Sequence, residues 1–515
     1  MIDCIIVGAG PGGIVCTKEM LEKGITNTVC LEQSSSLGGV FTGSYDNLYL
    51  TSSGAFSMFS DFWIGDGNAH SFWTKSEVLD YWTRYAAHFC VLKHIRFDAT
   101  VAKVERLADE NWRVTLASDE VLDCKNLVLA TGNNDVASFP AWRDQATSIP
   151  TMHSKDYRNA KGLENKRVLI VGGGESASDI ALEISKVAEQ CWVSLRNGTG
   201  WIVPRMRGKN AADASTHRGF WNLPRKYGAA VSVALLSNDR ALANDDPEMA
   251  ALVSLNERIP SIKGIWGTYG TKTMALPKAI AHYGCHVVPE ITGVQDGGKT
   301  LHLKDGLTLD SVDTIIFSTG FKNKVPFMPK ELQECDPRSL YKHMFHPDIG
   351  PSLVWLGWAR PAFGSQFPIM EMQSRYCAQI QANSLTLPDD HQMKIDIERD
   401  RAIYLEQFEH TGTRVRSLVD YFKYMGDLAK ILGCTPPLIR SFFMRPRLWL
   451  HLVFGPMQAS QFRLRGDGKK AVLAREIIMK LPVSPFNTVV KIGLKGRIGV
   501  VLGKFRPAKQ PRNRD

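Results

Sequence analysis

The chain has 515 residues, 44% of them hydrophobic and 22% charged, with a formal net charge of +10 and a mean hydropathy of −0.15. That length exceeds one core and predicts two to four domains, and no run of about 18 apolar residues marks a membrane-spanning helix. Nine Lys and Arg residues lie between 480 and 515 against one acid, Asp515, so the basic balance belongs to a tail and argues against a nucleic-acid-binding surface. The ten cysteines form no CxxC or CxxxxC pair, which excludes zinc and dithiol redox motifs and fits a reducing compartment.

Met1 leads at once into a strand-like run, Cys4-Ile5-Ile6-Val7, so no signal or transit peptide is expected. Gly8-Ala9-Gly10-Pro11-Gly12-Gly13 follows, then a predicted helix from Ile14 to Lys23 stopped by Gly24. The next strand, Thr28-Val29-Cys30-Leu31, ends at Glu32. Residues 76–93 have helical spacing, with Val78, Leu79, Tyr81, Trp82, Tyr85 and Phe89 on one face. Ala102–Arg106 and Trp112–Ala117 alternate and predict an antiparallel pair. Leu127-Val128-Leu129-Ala130-Thr131-Gly132 reads as a buried strand closing in a tight turn.

The opening unit then recurs. Val168-Leu169-Ile170-Val171 runs into Gly172-Gly173-Gly174-Glu175-Ser176-Ala177, a helix predicted to about Glu189, and a strand ending at Arg196. Residues 205–285 are weakly periodic and read as a partly helical insertion. The strand Thr314–Phe317 leads into Ser318-Thr319-Gly320, an echo of Ala130-Thr131-Gly132. Another strand covers Leu353–Gly357, a long helix about Ile369–Asn383, and the chain beyond 400 is mostly helical. The expected organisation is a dinucleotide-binding domain over 1–155, a second one over 156–320 carrying the insertion, the rest of the first domain with C-terminal helices over 321–480, and a basic tail over 481–515.

A strand, glycine loop, helix, strand and terminal acid in that order form a dinucleotide fingerprint. Gly8 allows the tight turn, Gly10 the approach of a pyrophosphate, and Gly13 close helix–strand packing. Glu32 suits ribose hydroxyls and repels a 2′-phosphate, which points to FAD or NAD. In the second loop Gly172, Gly174 and Ala177 take the same places, and Arg196 stands where a guanidinium grips a 2′-phosphate, selecting NADPH. Glu175 sets a negative charge beside that phosphate site. Two dinucleotides in one chain imply electron transfer between them: a flavoprotein fed by a nicotinamide.

At this point the chain resembles the flavin-containing monooxygenases. The resemblance spans nearly everything up to about residue 480 and rests on Gly38-Gly39-Val40-Phe41, Met58-Phe59-Ser60-Asp61-Phe62, His153-Ser154-Lys155-Asp156-Tyr157, Ser318-Thr319-Gly320-Phe321, Glu371-Met372-Gln373-Ser374-Arg375 and Gln461-Phe462-Arg463-Leu464. It implies an α/β fold with two Rossmann-like domains, the NADPH domain inserted in the FAD domain. It adds Gly39, Val40, Phe41, Thr51, Ser52 and Thr131 to the flavin residues Gly8, Ala9, Gly10, Pro11, Gly12, Gly13 and Glu32. It adds Ser176, Ser178 and Asp179 to the second-site residues Gly172, Gly174, Glu175, Ala177 and Arg196, and names Thr319, Gly320 and Gln373 as further cofactor-binding residues. Thr51 stands where the family places an Asn beside the reactive flavin, and Thr147 and Ile149 replace the Phe and Gly of the fingerprint before His153.

The implied reaction is reduction of FAD by NADPH, formation of a C4a-hydroperoxide with molecular oxygen, and transfer of one oxygen atom to a soft nucleophile, an amine nitrogen or a sulfide sulfur. Baeyer–Villiger oxidation of a ketone is the nearest alternative, disfavoured by Tyr157 where that subfamily has Trp; an NADPH oxidase or a catalytically decayed flavin-binding protein is the other. His153 reads as a residue bridging the two domains. Trp63, Trp73 and Phe56–Phe59 read as core or as a substrate wall. Residues 483–506 interleave apolar groups, glycines and cations, and read either as a solvated tail or as a peripheral contact with an anionic membrane such as the endoplasmic reticulum, in an otherwise cytoplasmic protein.

Overall fold

The computed structural model describes residues 1–65, 69–196, 198–207, 209–223, 228–259 and 263–484. Its first sheet contains β1 (Ile2–Val7), β2 (Thr28–Leu31), β3 (Ile95–Arg96), β4 (Val101–Arg106), β5 (Trp112–Leu116) and β6 (Val121–Leu129), in the order β3-β2-β1-β6-β5-β4. β1 is parallel to β2 and β6, β5 is antiparallel to β4 and β6, and the late strand Leu353–Trp355 lies parallel to β6. A segment more than 200 residues downstream of β6 thus completes the first sheet. Ile5, Ile6, Leu127, Val128, Leu353 and Val354 are all buried, as both faces of a covered parallel sheet require.

The second sheet contains β7 (Thr151–His153), β8 (Arg167–Val171), β9 (Gln190–Ser194), β10 (His286–Val288) and β11 (Thr314–Phe317), in the order β10-β9-β8-β11-β7, all parallel. The fold is α/β with two dinucleotide-binding units. Helix α1 (Pro11–Glu22) follows β1 and α2 (Glu175–Ile184) follows β8. α1 begins on Pro11, where the missing N–H costs nothing, and it is covered by α3 (Gln366–Gln381), whose inner residues Ile369, Met372 and Tyr376 share its core. The expected helix near 76–93 forms as Lys75–His88, started by a capping box in which Thr74 and Glu77 exchange hydrogen bonds.

Three differences from the sequence reading have local causes. The insertion is narrower than 205–285. It is pinched off where Trp201–Ile202 pairs with Gly270–Thr271, and the helix Ala275–Tyr283 buries Leu276 and Ala279 in the core of the second sheet. α2 ends at Ile184 and not near Glu189, because Ser185–Ala188 curl into a turn that feeds β9. Ile291–Gln295, Thr300–Leu303 and Thr308–Asp310 form a three-stranded antiparallel sheet whose short strands, bulged near Gly293, give little periodic signal. Of the tail segment expected to contact a membrane, residues 485–506 lie outside the described residues.

Candidate functional site

The first cradle is fixed by steric necessity. Gly8 has φ of 103°, and a Cβ there would stand 2.8 Å from the Ala130 carbonyl oxygen beyond β6. A Cβ on Gly13 would stand 1.8 Å from the Gly8 oxygen, so only glycine lets α1 approach β1 this closely. Gly10 caps α1 without a side chain, which leaves the first-turn N–H groups and the positive end of the helix dipole without a side-chain cap. Gly39 backs onto Gly10, and Gly38 N–H donates to the Ala9 carbonyl at 3.0 Å. Glu32 is buried; one oxygen accepts from Ala9 N–H at 2.7 Å, and the other accepts from the Ser34 N–H and hydroxyl at 3.0 and 2.8 Å.

The other flavin-side candidates divide. Pro11 and Gly12 are buried, with Gly12 facing Leu356 and Met370. Thr131 donates to the Gly132 carbonyl at 3.2 Å and so shapes the turn beside Gly8. Phe41 packs edge-on against Trp82, and Val40 is exposed. Gln373 is fully buried, accepts from Gly357 N–H at 2.9 Å and donates to the Tyr424 hydroxyl at 2.7 Å, so it holds the Gly357 turn. Trp73, Phe56, Met58 and Phe59 are core.

The second cradle repeats the logic with a different outcome at its last glycine. Gly172 has φ of 125°, and a Cβ there would lie 2.3 Å from the Ser318 oxygen past β11. Gly174 caps α2 without a side chain, and a Cβ there would meet nothing within 4 Å, which leaves room for a pyrophosphate. The Glu175 carboxylate is not left facing that space; it accepts from Lys272 N–H at 3.2 Å. Burial raises the pKa of Asp179, and its two oxygens accept from the Tyr45 and Thr273 hydroxyls at 2.9 and 3.0 Å. Ala177 and Ser178 are buried, the Ser178 hydroxyl donating to the Gly174 carbonyl at 3.0 Å, while Ser176 lies on the exposed side of α2.

Arg196 is exposed two residues beyond β9, without a hydrogen bond or ion pair among the described residues. Thr319 donates to the Ser138 carbonyl, and Gly320 has φ of 82°. His153 Nδ1 accepts from Lys155 N–H, so Nε2 carries the proton and donates to the Gly320 carbonyl at 3.1 Å. Burial lowers its pKa, and the neutral ring ties β7 to the turn after β11.

Between the cradles lies a junction that sequence reasoning missed. Thr51 is half-buried; Ser52 is buried, its hydroxyl 3.1 Å from that of Ser57 and 3.4 Å from that of Ser365, the cap of α3. Ser53 N–H donates to Asp213 Oδ2 at 2.7 Å, so the Thr51–Ser53 segment is held from the insertion. Asp213 lines a cavity of about 310 Å³ walled by Phe72, Trp201, Phe220, Trp221 and Phe363, with Arg205, His217 and Lys272 as its basic groups. Burial pushes His217 down to about 4. Lys272 Nζ donates to the Gly364 carbonyl at 2.6 Å, next to Ser365, which joins the cavity to the α3 cap.

Behind α1 sits a buried ionic cluster. Lys18 pairs with Glu19 (3.1 Å), Glu22 (2.7 Å) and Asp61; Arg463 pairs with Glu19 (2.5 Å) and Glu371 (3.0 Å). Burial opposes ionisation here, yet Lys18 and Arg463 hold the Asp61 carboxyl well below its ordinary range, and Arg463 with Lys18 lowers Glu19. The oxygens of Glu19, Glu22 and Asp61 lie within metal-ligating distance of one another, but the Lys18 ammonium occupies that position, and the cluster ties α1 to α3 and the C-terminal helices.

Comparison with known proteins agrees with this geometry. Residues 3–484 match the flavin-binding monooxygenase-like family. The chain is 33% identical to a 4-hydroxybenzoate brominase (decarboxylating) of Marinomonas mediterranea, covering 93% of this chain and 92% of that protein. It is 28% identical to flavin-containing monooxygenase 5 of Homo sapiens, covering 97% and 96%. The S-allyl-L-cysteine S-oxygenase of Allium sativum shares the fold at a TM-score of 0.60 and 19% identity, covering 93% of this chain and 98% of that one. Cyclohexanone monooxygenase from Rhodococcus sp. Phi1 shares it at 0.60 and 15%, covering 84% and 97%. With two glycine cradles, a carboxylate at the end of β2 and a match along almost its whole length, the chain belongs to the flavin-binding monooxygenase-like family, as an enzyme that uses FAD and NADP(H).

Proposed function

We propose that the protein is an NADPH-dependent monooxygenase that transfers one oxygen atom to a soft nucleophile bound in the cavity beside Ser53. Reduced flavin supplies an electrophilic oxygen atom from O₂, the second oxygen leaving as water. The observation that carries the reading is the Ser53–Asp213 contact, which joins the segment expected beside the reactive flavin to a cavity walled by aromatic rings. The residues of this chain do the rest. The bare N-termini of α1 and α2 receive the pyrophosphates, Glu32 the flavin ribose, and Arg196 the 2′-phosphate. The aromatic wall keeps bulk water from the reacting centre.

Two classes of nucleophile fit. Amine nitrogen and sulfide sulfur are the nucleophiles that the family resemblance implies, and Thr51, with a hydroxyl in place of an amide, is where this chain departs from the family's pattern. Bromide, also a soft two-electron donor, is favoured by the 33% and 31% identity to 4-hydroxybenzoate brominases. The test is product analysis of the FAD-loaded enzyme with NADPH and O₂, offered an amine, a sulfide, a ketone, or bromide with 4-hydroxybenzoate. N- or S-oxygenated or brominated product supports the proposal; an ester from the ketone alone, or NADPH consumption yielding only hydrogen peroxide, overturns it.

We also propose a cytoplasmic enzyme in peripheral contact with an anionic membrane. Among the described residues, Ile439, Phe442, Phe443 and Met444 form an exposed apolar group beside exposed Arg440 and Arg445, which supports contact at the end that leads into the basic tail. Co-sedimentation with phosphatidylserine vesicles but not with phosphatidylcholine vesicles is the expected result; equal recovery from both would remove the proposal.

A further inference from the structure

Two side-chain atoms of the cavity lining are buried without a hydrogen-bond partner among the described residues: Asp213 Oδ1, an acceptor, and Arg205 Nε, a donor. Asp213 is 5% exposed and its other oxygen is committed to Ser53 N–H. The Arg205 guanidinium lies over the rings of Tyr49 and Phe72, 5.3 and 5.8 Å from their centroids. A buried polar atom left unpaired costs free energy, and such atoms in a native fold call for a partner. Here the two are of opposite sense and share one aromatic-walled cavity.

We propose that they recognise the two ends of a small aromatic acid: Arg205 takes its carboxylate, Asp213 Oδ1 accepts from a hydroxyl on the ring, and the rings of the wall sandwich its body. The substrate class is a hydroxyaromatic carboxylate. The volume, about 310 Å³, admits a single-ring molecule with space beside it. Asp213 then does two things at once. It holds the Thr51–Ser53 segment through one oxygen and sets the ring's distance from that segment through the other. The inference rests on the oxygenase reading of the same cavity and names what it takes.

The test is binding to the full-length, FAD-loaded oxidised enzyme without NADPH, so its outcome is independent of turnover. The probes are 4-hydroxybenzoate, benzoate and phenol, followed by flavin absorbance and tryptophan fluorescence. The wild-type protein is expected to bind 4-hydroxybenzoate about tenfold tighter than either probe lacking one group, the scale of one lost charge-assisted hydrogen bond. In Asp213→Asn the amide oxygen stays on Ser53 N–H and an NH₂ replaces the acceptor, so the advantage over benzoate disappears while benzoate binding is kept. In Arg205→Gln the advantage over phenol disappears while phenol binding is kept. A wild-type protein that binds the three probes alike, or variants that weaken all three equally, overturns the assignment, as does displacement of 4-hydroxybenzoate by NADP⁺ with Arg205→Gln weakening NADP⁺ alone.

Discussion

Replacing Gly174 with alanine separates the phosphate function of the second cradle from its architecture. Gly174 has φ of −83° and ψ of −175°, an extended conformation open to alanine, and its added Cβ meets no protein atom within 4 Å. The fold therefore loses nothing, and restricting the unfolded chain adds about 0.4–1 kcal/mol. The methyl does stand at the mouth of α2, where a pyrophosphate must approach the first-turn N–H groups. Losing one hydrogen bond to a charged group costs about 1.5–3 kcal/mol, which weakens NADP⁺ by about 10- to 150-fold. Calorimetric titration with NADP⁺, thermal melting and flavin content are the assays: affinity falls, melting temperature and FAD content hold. Gly172→Ala is the contrast, since its Cβ would lie 2.3 Å from the Ser318 oxygen at φ of 125°, and it should fail by unfolding. NADP⁺ affinity unchanged in Gly174→Ala would refute the placement of the pyrophosphate.

Four further outcomes follow from the same geometry. Arg196→Ala weakens NADPH far more than NADH; equal KM increases would detach Arg196 from the 2′-phosphate. Glu32→Ala removes the acceptor of Ala9 N–H and the ribose partner together, and the protein should purify colourless; full flavin content in the pure variant would contradict this. Arg463→Met leaves Glu19 and Glu371 buried without their guanidinium, a loss of about 3–5 kcal/mol read as a large fall in the urea midpoint. Because the folded-state pKa values of Asp61 and Glu19 are depressed, their ion pairing stabilises the protein fully above about pH 5 and is lost as pH falls through the carboxylate range. The wild-type protein should lose stability steeply below pH 4, and the Arg463→Met variant less steeply; parallel acid curves would count against the cluster.

The cradles were legible in the sequence because every signal there is local. A strand, three glycines, a helix and a terminal charged residue lie within about 30 residues, and the steric demands at Gly8, Gly13 and Gly172 are those the spacing implied. Glu175 was legible only as an anomaly: its carboxylate turns to Lys272 N–H, 97 residues away, a partner that spacing cannot reveal. Motif residues also changed meaning. Gln373 and Arg463 were visible as family echoes, but their burial gives them the Gly357 turn and the ionic cluster behind α1. Asp213 gave no signal at all. It sits in a weakly periodic stretch and gains significance only through Ser53, 160 residues earlier.

That contrast locates specificity within the chain. At Gly8, Gly13 and Gly172 the cofactor cradles tolerate almost no variation, since carbonyl oxygens stand where side chains would go. The cavity is different. Most of its wall comes from the segment pinched off between Trp201–Ile202 and Gly270–Thr271, which contributes to neither sheet. Residues there can change without moving α1, α2 or the strands beneath them. Yet one of them, Asp213, holds Ser53, and Lys272 at the neck holds Gly364 beside the α3 cap. A substitution in the insertion can therefore alter both what enters the cavity and how the segment expected beside the flavin is held. A new substrate class can arise from this region alone, with electron delivery left intact.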